Sequence, residues 1–80
     1  MRNIVNDALL SEKIQIERKI FFFDLKENSR GRFLKITEDV GGRRDTIIIP
    51  STGLHEFRDA IEKAIESDQA AGPPEITEGA

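Results

Sequence analysis

Hydrophobic and polar residues alternate along much of the chain up to Pro50, and the spacing changes after Gly53. Alternation is typical of β-strands that bury one face, because successive side chains point to opposite sides of a sheet. Two turn signals, Asn28-Ser29-Arg30-Gly31 and Gly41-Gly42, separate the later segments. Short links between such segments favour an antiparallel meander.

The first alternating segment, residues 8–25, allows two interpretations. Its charged break at Glu17-Arg18-Lys19 permits two strands in a tight hairpin, although no Asn-Gly type of turn is present. Periodicity alone also permits one long strand. The hairpin gives four strands in all, of which the later two run from Arg32 to about Val40 and over residues 46–49.

Apolar residues recur at helical spacing after the last strand, with charged residues between them. This helix can be capped by Ser51 or Thr52 and should end near Ser67. We therefore expect a flexible N-terminal arm over residues 1–7, one folded unit over residues 8–67 and a disordered acidic tail over residues 68–80. The apolar positions of the helix are Leu54, Phe57, Ile61, Ala64 and Ile65.

The predicted fold class is α+β, with a four-stranded antiparallel sheet followed by one helix. The helix can cover only one face of the sheet, and that face carries enough apolar residues for a core. The other face is also partly apolar, since Ile20, Phe22, Phe33 and Ile48 fall on it by alternation. A sheet that is apolar on both faces needs another covering surface, which is a second subunit, a ligand or both.

The chain is short, with 80 residues and no cysteine, so neither a disulfide nor a thiolate metal site can stabilise its small core. Oligomerisation is the usual remaining way to stabilise so small a core. The longest apolar run, residues 20–23, is too short to span a membrane, and the N-terminus lacks a signal-peptide pattern. We expect a cytoplasmic (intracellular) protein without a membrane partner, and nucleoid association is compatible with that location.

The net charge of −3 averages over unlike parts of the chain. Residues 18–44 contain eight Lys or Arg and four acids, a balance of +4, whereas residues 45–80 contain two Lys or Arg and eight acids, a balance of −6. Such a split can give one face of the protein a positive field. Uneven surface charge is also common in small proteins, so charge alone does not identify a partner.

The basic segment ends one strand in a cationic turn and starts the next strand with an aromatic residue. In an extended conformation Phe33 and Lys35 share a face, while Leu34 and Ile36 point to the other. Single-stranded nucleic acid is held in this way, because bases stack on the ring and cations follow the phosphates. The alternatives are a Phe33 that packs in a dimer core and a turn that is merely solvated. The candidate binding residues are Lys26, Asn28, Arg30, Arg32, Phe33 and Lys35.

Catalysis has little support in the sequence. His55 is the only histidine, and its place near a helix start among charged residues is typical of a surface position. No residues have metal-ligand spacing, and no Ser/His/Asp set can be assembled. We expect no enzyme activity, no cofactor, no metal and no small-molecule substrate.

Much of the chain, from about Leu9 to Ile65, strongly resembles the repeat of the purine-rich element-binding (PUR) proteins. Its most specific part is Lys26-Glu27-Asn28, then two variable residues, then Gly31-Arg32-Phe33-Leu34-Lys35-Ile36. The matching segments are Ile14–Ile16, Phe21–Ile36, residues 46–49 and Phe57–Asp59.

The resemblance implies a ββββα PUR repeat of Whirly-like architecture, in which two repeats interlock. Because this chain has a single repeat, as bacterial members do, the resemblance implies a homodimer. Members of the family bind single-stranded DNA and RNA and favour purine-rich sequences. By motif position, Lys26, Asn28 and Arg30 match turn residues that contact bases and backbone, and Phe33 matches the stacking aromatic. Arg32 and Lys35 are weaker candidates.

The sequence thus predicts a homodimer that binds single-stranded nucleic acid, has a regulatory role and catalyses no reaction. The alternative is a protein-interaction module whose open sheet face holds a peptide or a partner domain. Added salt separates the two, because nucleic-acid binding releases counterions and an apolar peptide groove does not.

Overall fold

The computed structural model describes residues 8–74 of the chain. Within them, the predicted order of four strands followed by one helix is confirmed. The predicted arm, residues 1–7, and residues 75–80 of the predicted tail lie outside the described residues. The elements are β1 (Leu10–Ile16), β2 (Lys19–Asn28), β3 (Gly31–Val40), β4 (Arg43–Pro50), a 3₁₀ turn (Ser51–Gly53) and α1 (Leu54–Ala71).

The sheet is an antiparallel meander with strand order β1-β2-β3-β4. Its first segment is a hairpin, since Ile16 pairs with Lys19 and leaves Glu17 and Arg18 in the turn. Glu17 adopts a φ of 55°, in the left-handed region that tight hairpin turns require. A residue other than glycine pays about 1–2 kcal/mol there. The turn therefore forms because the strands on both sides of it pair with each other. The residues of the turn itself are not ones that favour a hairpin.

Glycines form the third hairpin turn, as predicted. Gly41 and Gly42 have φ values of 59° and 88°, which only glycine adopts without strain. The Asp39 carboxylate accepts a hydrogen bond from the Gly42 backbone N–H, with Oδ1 and N 3.0 Å apart. This turn therefore has both the backbone freedom and a side-chain acceptor that the β3–β4 connection needs.

Strand register sorts the side chains onto two unlike faces. Phe33 and Lys35 lie on one face and Leu34 and Ile36 on the other, as predicted. We name the first the mixed face and the second the apolar face. The mixed face carries Lys13, Ile20, Phe22, Asp24, Lys26, Phe33, Lys35, Thr37, Asp39, Arg44, Thr46 and Ile48. The apolar face carries Leu10, Ile14, Ile16, Phe21, Phe23, Leu25, Leu34, Ile36, Ile47 and Ile49, together with the charged residues Glu12, Lys19, Glu27, Arg32, Glu38 and Asp45.

The prediction that the helix covers a face of its own sheet is wrong. Leu54, its first residue, reaches the apolar face beside Phe23 and Leu34, but α1 does not pack along any strand. Its apolar side chains stay open, with Ile61 and Ile65 each 50% exposed. Only the short 3₁₀ turn separates β4 from α1, so the chain has no longer loop with which to reverse over the sheet.

Both ends of the helix also differ from prediction. Ser51 and Thr52 lie in the 3₁₀ turn and supply no capping hydrogen bond to α1, whose N-cap is Gly53. The helix continues to Ala71, past the predicted end near Ser67. Gly72, with a φ of 76°, ends it and donates a backbone hydrogen bond to the Gln69 carbonyl at 3.2 Å. Residues 68–71 are therefore helical and do not belong to a disordered tail.

The projecting helix makes the molecule elongated and leaves its core open. The radius of gyration is 16.0 Å, whereas a compact chain of this length has about 12 Å. Among residues 8–74, only Ile36 and Thr37 are buried. No helix in this range is long and apolar enough to cross a membrane. The apolar surface of the sheet and helix thus has no cover from the other residues that the structure describes.

The strained turn gives the first test. Replacing Glu17 by Gly should stabilise the protein by about 0.5–1 kcal/mol, because relief of the left-handed strain exceeds the extra backbone entropy that glycine loses. Urea unfolding at a fixed protein concentration measures the change. Arg18→Gly is the matched control: Arg18 has no positive φ, so glycine there should be neutral or destabilising. Equal shifts for both variants would contradict strain at Glu17.

Candidate nucleic-acid interface

A groove of about 510 Å³ lies at one end of the mixed face, where the β2–β3 turn meets the end of β4. The structure brings four of the sequence-predicted residues into this groove, namely Asn28, Arg30, Arg32 and Phe33. Lys26 lies beside it, directly opposite Phe33 in the β2–β3 register. The groove is lined by Asn28, Arg30, Gly31, Arg32, Phe33, Ile48 and Pro50.

Phe33 forms the apolar part of the groove. Its strand neighbours are Lys26 on one side and Pro50 on the other, and its side chain is half-buried. Ile48 and Pro50 continue the apolar surface from β4. The ring therefore lies on the face opposite the one that carries most of the apolar residues, with part of its surface open to a planar ligand.

Asn28 shapes the turn as well as lining the groove. Its side-chain oxygen accepts a hydrogen bond from the Arg30 backbone N–H at 2.8 Å, an Asx-type contact that stabilises tight turns. The sequence predicts an amide that offers both a donor and an acceptor. The structure uses the oxygen within the turn, so the amide NH₂ is the group that Asn28 offers to a ligand.

The predicted cations differ in their ionic partners. Lys26, Arg30 and Lys35 form no ion pair with any carboxylate of residues 8–74. Arg32 lies on the other side of the sheet and contacts Glu27, with Nε and Oε2 3.2 Å apart. Arg32 therefore contributes to the groove wall, while its charge is shared with a carboxylate on the opposite side.

Sequence reasoning missed several residues around this face. Ile48, which alternation places on the face of Phe33, and Pro50 both line the groove, and neither is among the predicted binding residues. Lys13 and Arg44 lie over the ring of Phe22, with distances to the ring centroid of 5.9 and 5.5 Å. Alternation within each strand already placed Phe22 and Ile48 on the face of Phe33. The strand register was needed to place Lys13, Arg44 and Pro50 there as well.

Residues 8–74 contain no metal-binding cluster that could serve as a second candidate site. They contain no cluster of three or more His, Cys, Asp or Glu that could hold a metal ion. The hydrogen bond from Arg58 to the carboxylate of Asp59, together with the charge of that carboxylate, raises the pKa of Arg58. This pair lies exposed on the helix, away from any pocket that could hold a substrate.

Comparison with known proteins identifies the family. A family model described as PurA ssDNA and RNA-binding protein matches residues 2–78. The chain belongs to the PurA family. The resemblance to the PUR repeat is thereby confirmed, and the family is one of nucleic-acid-binding proteins.

Several PurA-family relatives are longer proteins. The chain is 48% identical over 61 residues to Transcription factor Pur-alpha 1 of Arabidopsis thaliana, which covers 76% of the chain and 21% of that protein. It is 41% identical over 80 residues to human Transcriptional activator protein Pur-alpha, covering 90% of the chain and 25% of that protein. It is also 41% identical over 87 residues to human Transcriptional regulator protein Pur-beta, covering 84% of the chain and 28% of that protein. The chain thus spans about a quarter of the length of these relatives.

The two cations at this groove that lack a carboxylate partner among residues 8–74 give the second test. Replacing Lys26 and Arg30 together by Ala should weaken binding to a purine-rich single strand and lower the slope of log K against log salt by about 1.4. Each lost phosphate contact on a single strand accounts for about 0.7 of that slope. Fluorescence anisotropy from low to moderate salt measures both quantities.

A matched double variant, Arg58→Ala with Lys63→Ala, removes the same charge from the helix. It should leave the salt slope unchanged, because short-range phosphate contacts determine the slope more than net charge does. The free energy of unfolding of the Lys26/Arg30 variant should stay within about 0.5 kcal/mol of the parent. An unchanged slope in that variant would show that the turn does not contact phosphates.

Proposed function

We propose that this PurA-family chain is a homodimer that binds single-stranded DNA or RNA, favours purine-rich sequence and regulates transcription without catalysing a reaction. The observation that supports this most is the groove on the mixed face. There the half-buried ring of Phe33 lies beside Lys26 and Arg30, cations without a carboxylate partner among residues 8–74. Family membership supports nucleic acid as the ligand.

The chemistry of the groove suits an unpaired base. A base that stacks on Phe33 gains about 1–3 kcal/mol, and only an unstacked base presents its flat side to the ring. Purines have the larger ring system and therefore the larger stacking area. The NH₂ group of Asn28 can donate to acceptors on a purine edge, such as N7. These two contacts support purine-rich single strands as the preferred ligand.

The cations suit the backbone of the same strand. Lys26 and Lys35 follow one another along the mixed face on adjacent strands, and Arg30 lies in the turn above the groove. Phosphate contacts position a strand without selecting its sequence. Affinity in this proposal comes from both the ring and the cations, and base preference comes from the ring and Asn28.

A homodimer supplies the cover that the apolar face needs. A depression of about 410 Å³ on that face is lined almost wholly by apolar residues of β1, β2 and β3 together with Leu54. The helix carries Phe57, Ile61 and Ile65 at four-residue spacing, each between 38% and 50% exposed. The helix of a second copy, laid on this face, would bury both surfaces at once. Such an interlocked pair is the Whirly-like arrangement that the resemblance implies.

This arrangement leaves the mixed face open to ligand. The apolar face and the mixed face are opposite sides of one sheet, so covering one does not block the other. The groove with Phe33 then stays accessible in each copy. A peptide-binding module would use the same open face, but it would not need the three cations that lie there without carboxylate partners among the described residues.

Assembly is tested directly. Light scattering should give a mass near twice 9.0 kDa, and the thermal midpoint should rise with protein concentration, because only the folded pair is stabilised by mass action. Ile61→Asp should produce monomer or unfolded chain, since it places a charge within the proposed interface. Ser67→Asp, on the other side of the helix, should leave the mass unchanged. A stable monomer with a concentration-independent midpoint would contradict the interlocked pair.

Stacking at Phe33 is tested by separating affinity from stability. Phe33→Ala should cost about 1–3 kcal/mol of binding to a purine-rich strand and little stability, because the ring is only half-buried. Phe23→Ala is the matched control: Phe23 is also half-buried within the chain, but the proposed homodimer would cover it, so its loss should cost about 3–5 kcal/mol of stability. Binding is measured on the folded fraction of each variant. If Phe33→Ala lowers the unfolding midpoint and keeps normal affinity, the ring is structural.

A further inference from the structure

A second combination of an aromatic ring and cations lies on the mixed face, away from the groove. The ring of Phe22 has the Lys13 ammonium 5.9 Å from its centroid and the Arg44 guanidinium carbon 5.5 Å from it. Lys13 belongs to β1 and Arg44 to β4, which lie on opposite sides of β2 in the sheet. Phe22 therefore stands between two cations and is half-buried. None of the three lines the groove beside Phe33.

The two cations are held differently. Arg44 donates from Nε to the Asp39 carboxylate at 2.9 Å, and the same carboxylate is tied to the β3–β4 turn through Gly42. Lys13 forms no ion pair with a carboxylate of residues 8–74. Its distance from the ring is near the outer limit of about 6 Å for a cation–π contact. Lys13 can therefore leave the ring at little cost, whereas Arg44 stays in place.

The two aromatic rings lie at a distance that one strand can span. Phe22 pairs with Thr37, four residues along β3 from Phe33, so the two positions are about 14 Å apart across the sheet. Lys35 lies between them on the same face. At a stacked rise of 3.4 Å per nucleotide this distance corresponds to about four nucleotides, and to fewer when the strand is extended.

We propose that Phe22, Lys13 and Arg44 form a second nucleotide-binding station for the same single strand that stacks a base on Phe33. This inference rests on the proposed function. A base occupies the side of the Phe22 ring that Lys13 leaves, Lys13 moves to a neighbouring phosphate, and Arg44 contacts the backbone on the other flank. The charge of Lys13, which has no carboxylate partner among residues 8–74, lies beside a part-open ring and favours a polyanion with planar groups over an uncharged partner. Arg44 keeps guanidinium N–H groups other than the Nε–H that Asp39 accepts. The strand then crosses the sheet instead of ending at the groove.

A series of purine-rich single strands of three to ten nucleotides tests the station by anisotropy. Parent affinity should keep rising until the strand reaches both rings. Phe22→Leu should bind the shortest strands like the parent and bind the ten-nucleotide strand at least about fivefold more weakly. Phe33→Ala should weaken binding at every length. Lys13→Gln should weaken only the longer strands and lower their salt slope by about 0.7, whereas Lys63→Gln on the helix should change neither.

The outcomes separate the station from the groove. If Phe22→Leu and Lys13→Gln both keep parent affinity at every length while Phe33→Ala loses it, the station is overturned and the proposed function stands. If the parent itself binds no strand in the series, the proposed function fails. If Phe22→Leu does not fold, Lys13→Gln decides alone, since Lys13 is exposed and its removal leaves the ring in place. Unchanged binding of the ten-nucleotide strand by Lys13→Gln then overturns the station.

Discussion

Pairing between β2 and β3 is the interaction on which the rest of this structure depends. Its register sets Lys26 opposite Phe33 and Leu25 opposite Leu34. Because side chains alternate along a strand, a slip of β3 by one residue would move Phe33 to the apolar face and Leu34 to the mixed face. The turn resists such a slip, since the Asn28 side-chain oxygen is bound to the Arg30 backbone N–H at 2.8 Å. One residue thus lines the groove and holds the register that creates it.

The outward path of α1 follows from the way β4 ends. β4 passes into α1 through a short 3₁₀ turn, so the helix leaves the edge of the sheet and its apolar side chains find no partner along the strands. Burial of apolar surface is the main favourable term in folding, and here much of that surface stays open within the single chain. The apolar face of the sheet and the apolar side of the helix are the two surfaces that the proposed homodimer would bury against each other.

Local properties of the chain were predictable from sequence, and relationships between distant residues were not. Alternation gave the strands and the division of Phe33 and Lys35 from Leu34 and Ile36, because side-chain direction depends only on neighbouring positions. Whether the chain turns at Glu17 could not be decided from the sequence, because glutamate does not usually adopt positive φ. The path of the helix was predicted wrongly, because a pattern of apolar residues shows that a helix has an apolar side but not where that side packs. The candidate binding residues stand together in one sequence motif and their role stays a prediction, whereas the pairing of Arg32 with Glu27 needed coordinates.

The single-layer sheet also has an evolutionary consequence. Residues of the mixed face, proposed to bind the ligand, and residues of the apolar face, proposed to meet a partner copy, alternate along the same strand, with Phe33, Lys35 and Thr37 on one side and Leu34 and Ile36 on the other. Each face can accumulate substitutions without changing the side chains of the other. Duplicated copies of such a chain could keep a shared assembly surface while their target preferences diverge. The odd-numbered positions of β3 thus belong to the proposed ligand surface and the even-numbered positions to the proposed assembly surface.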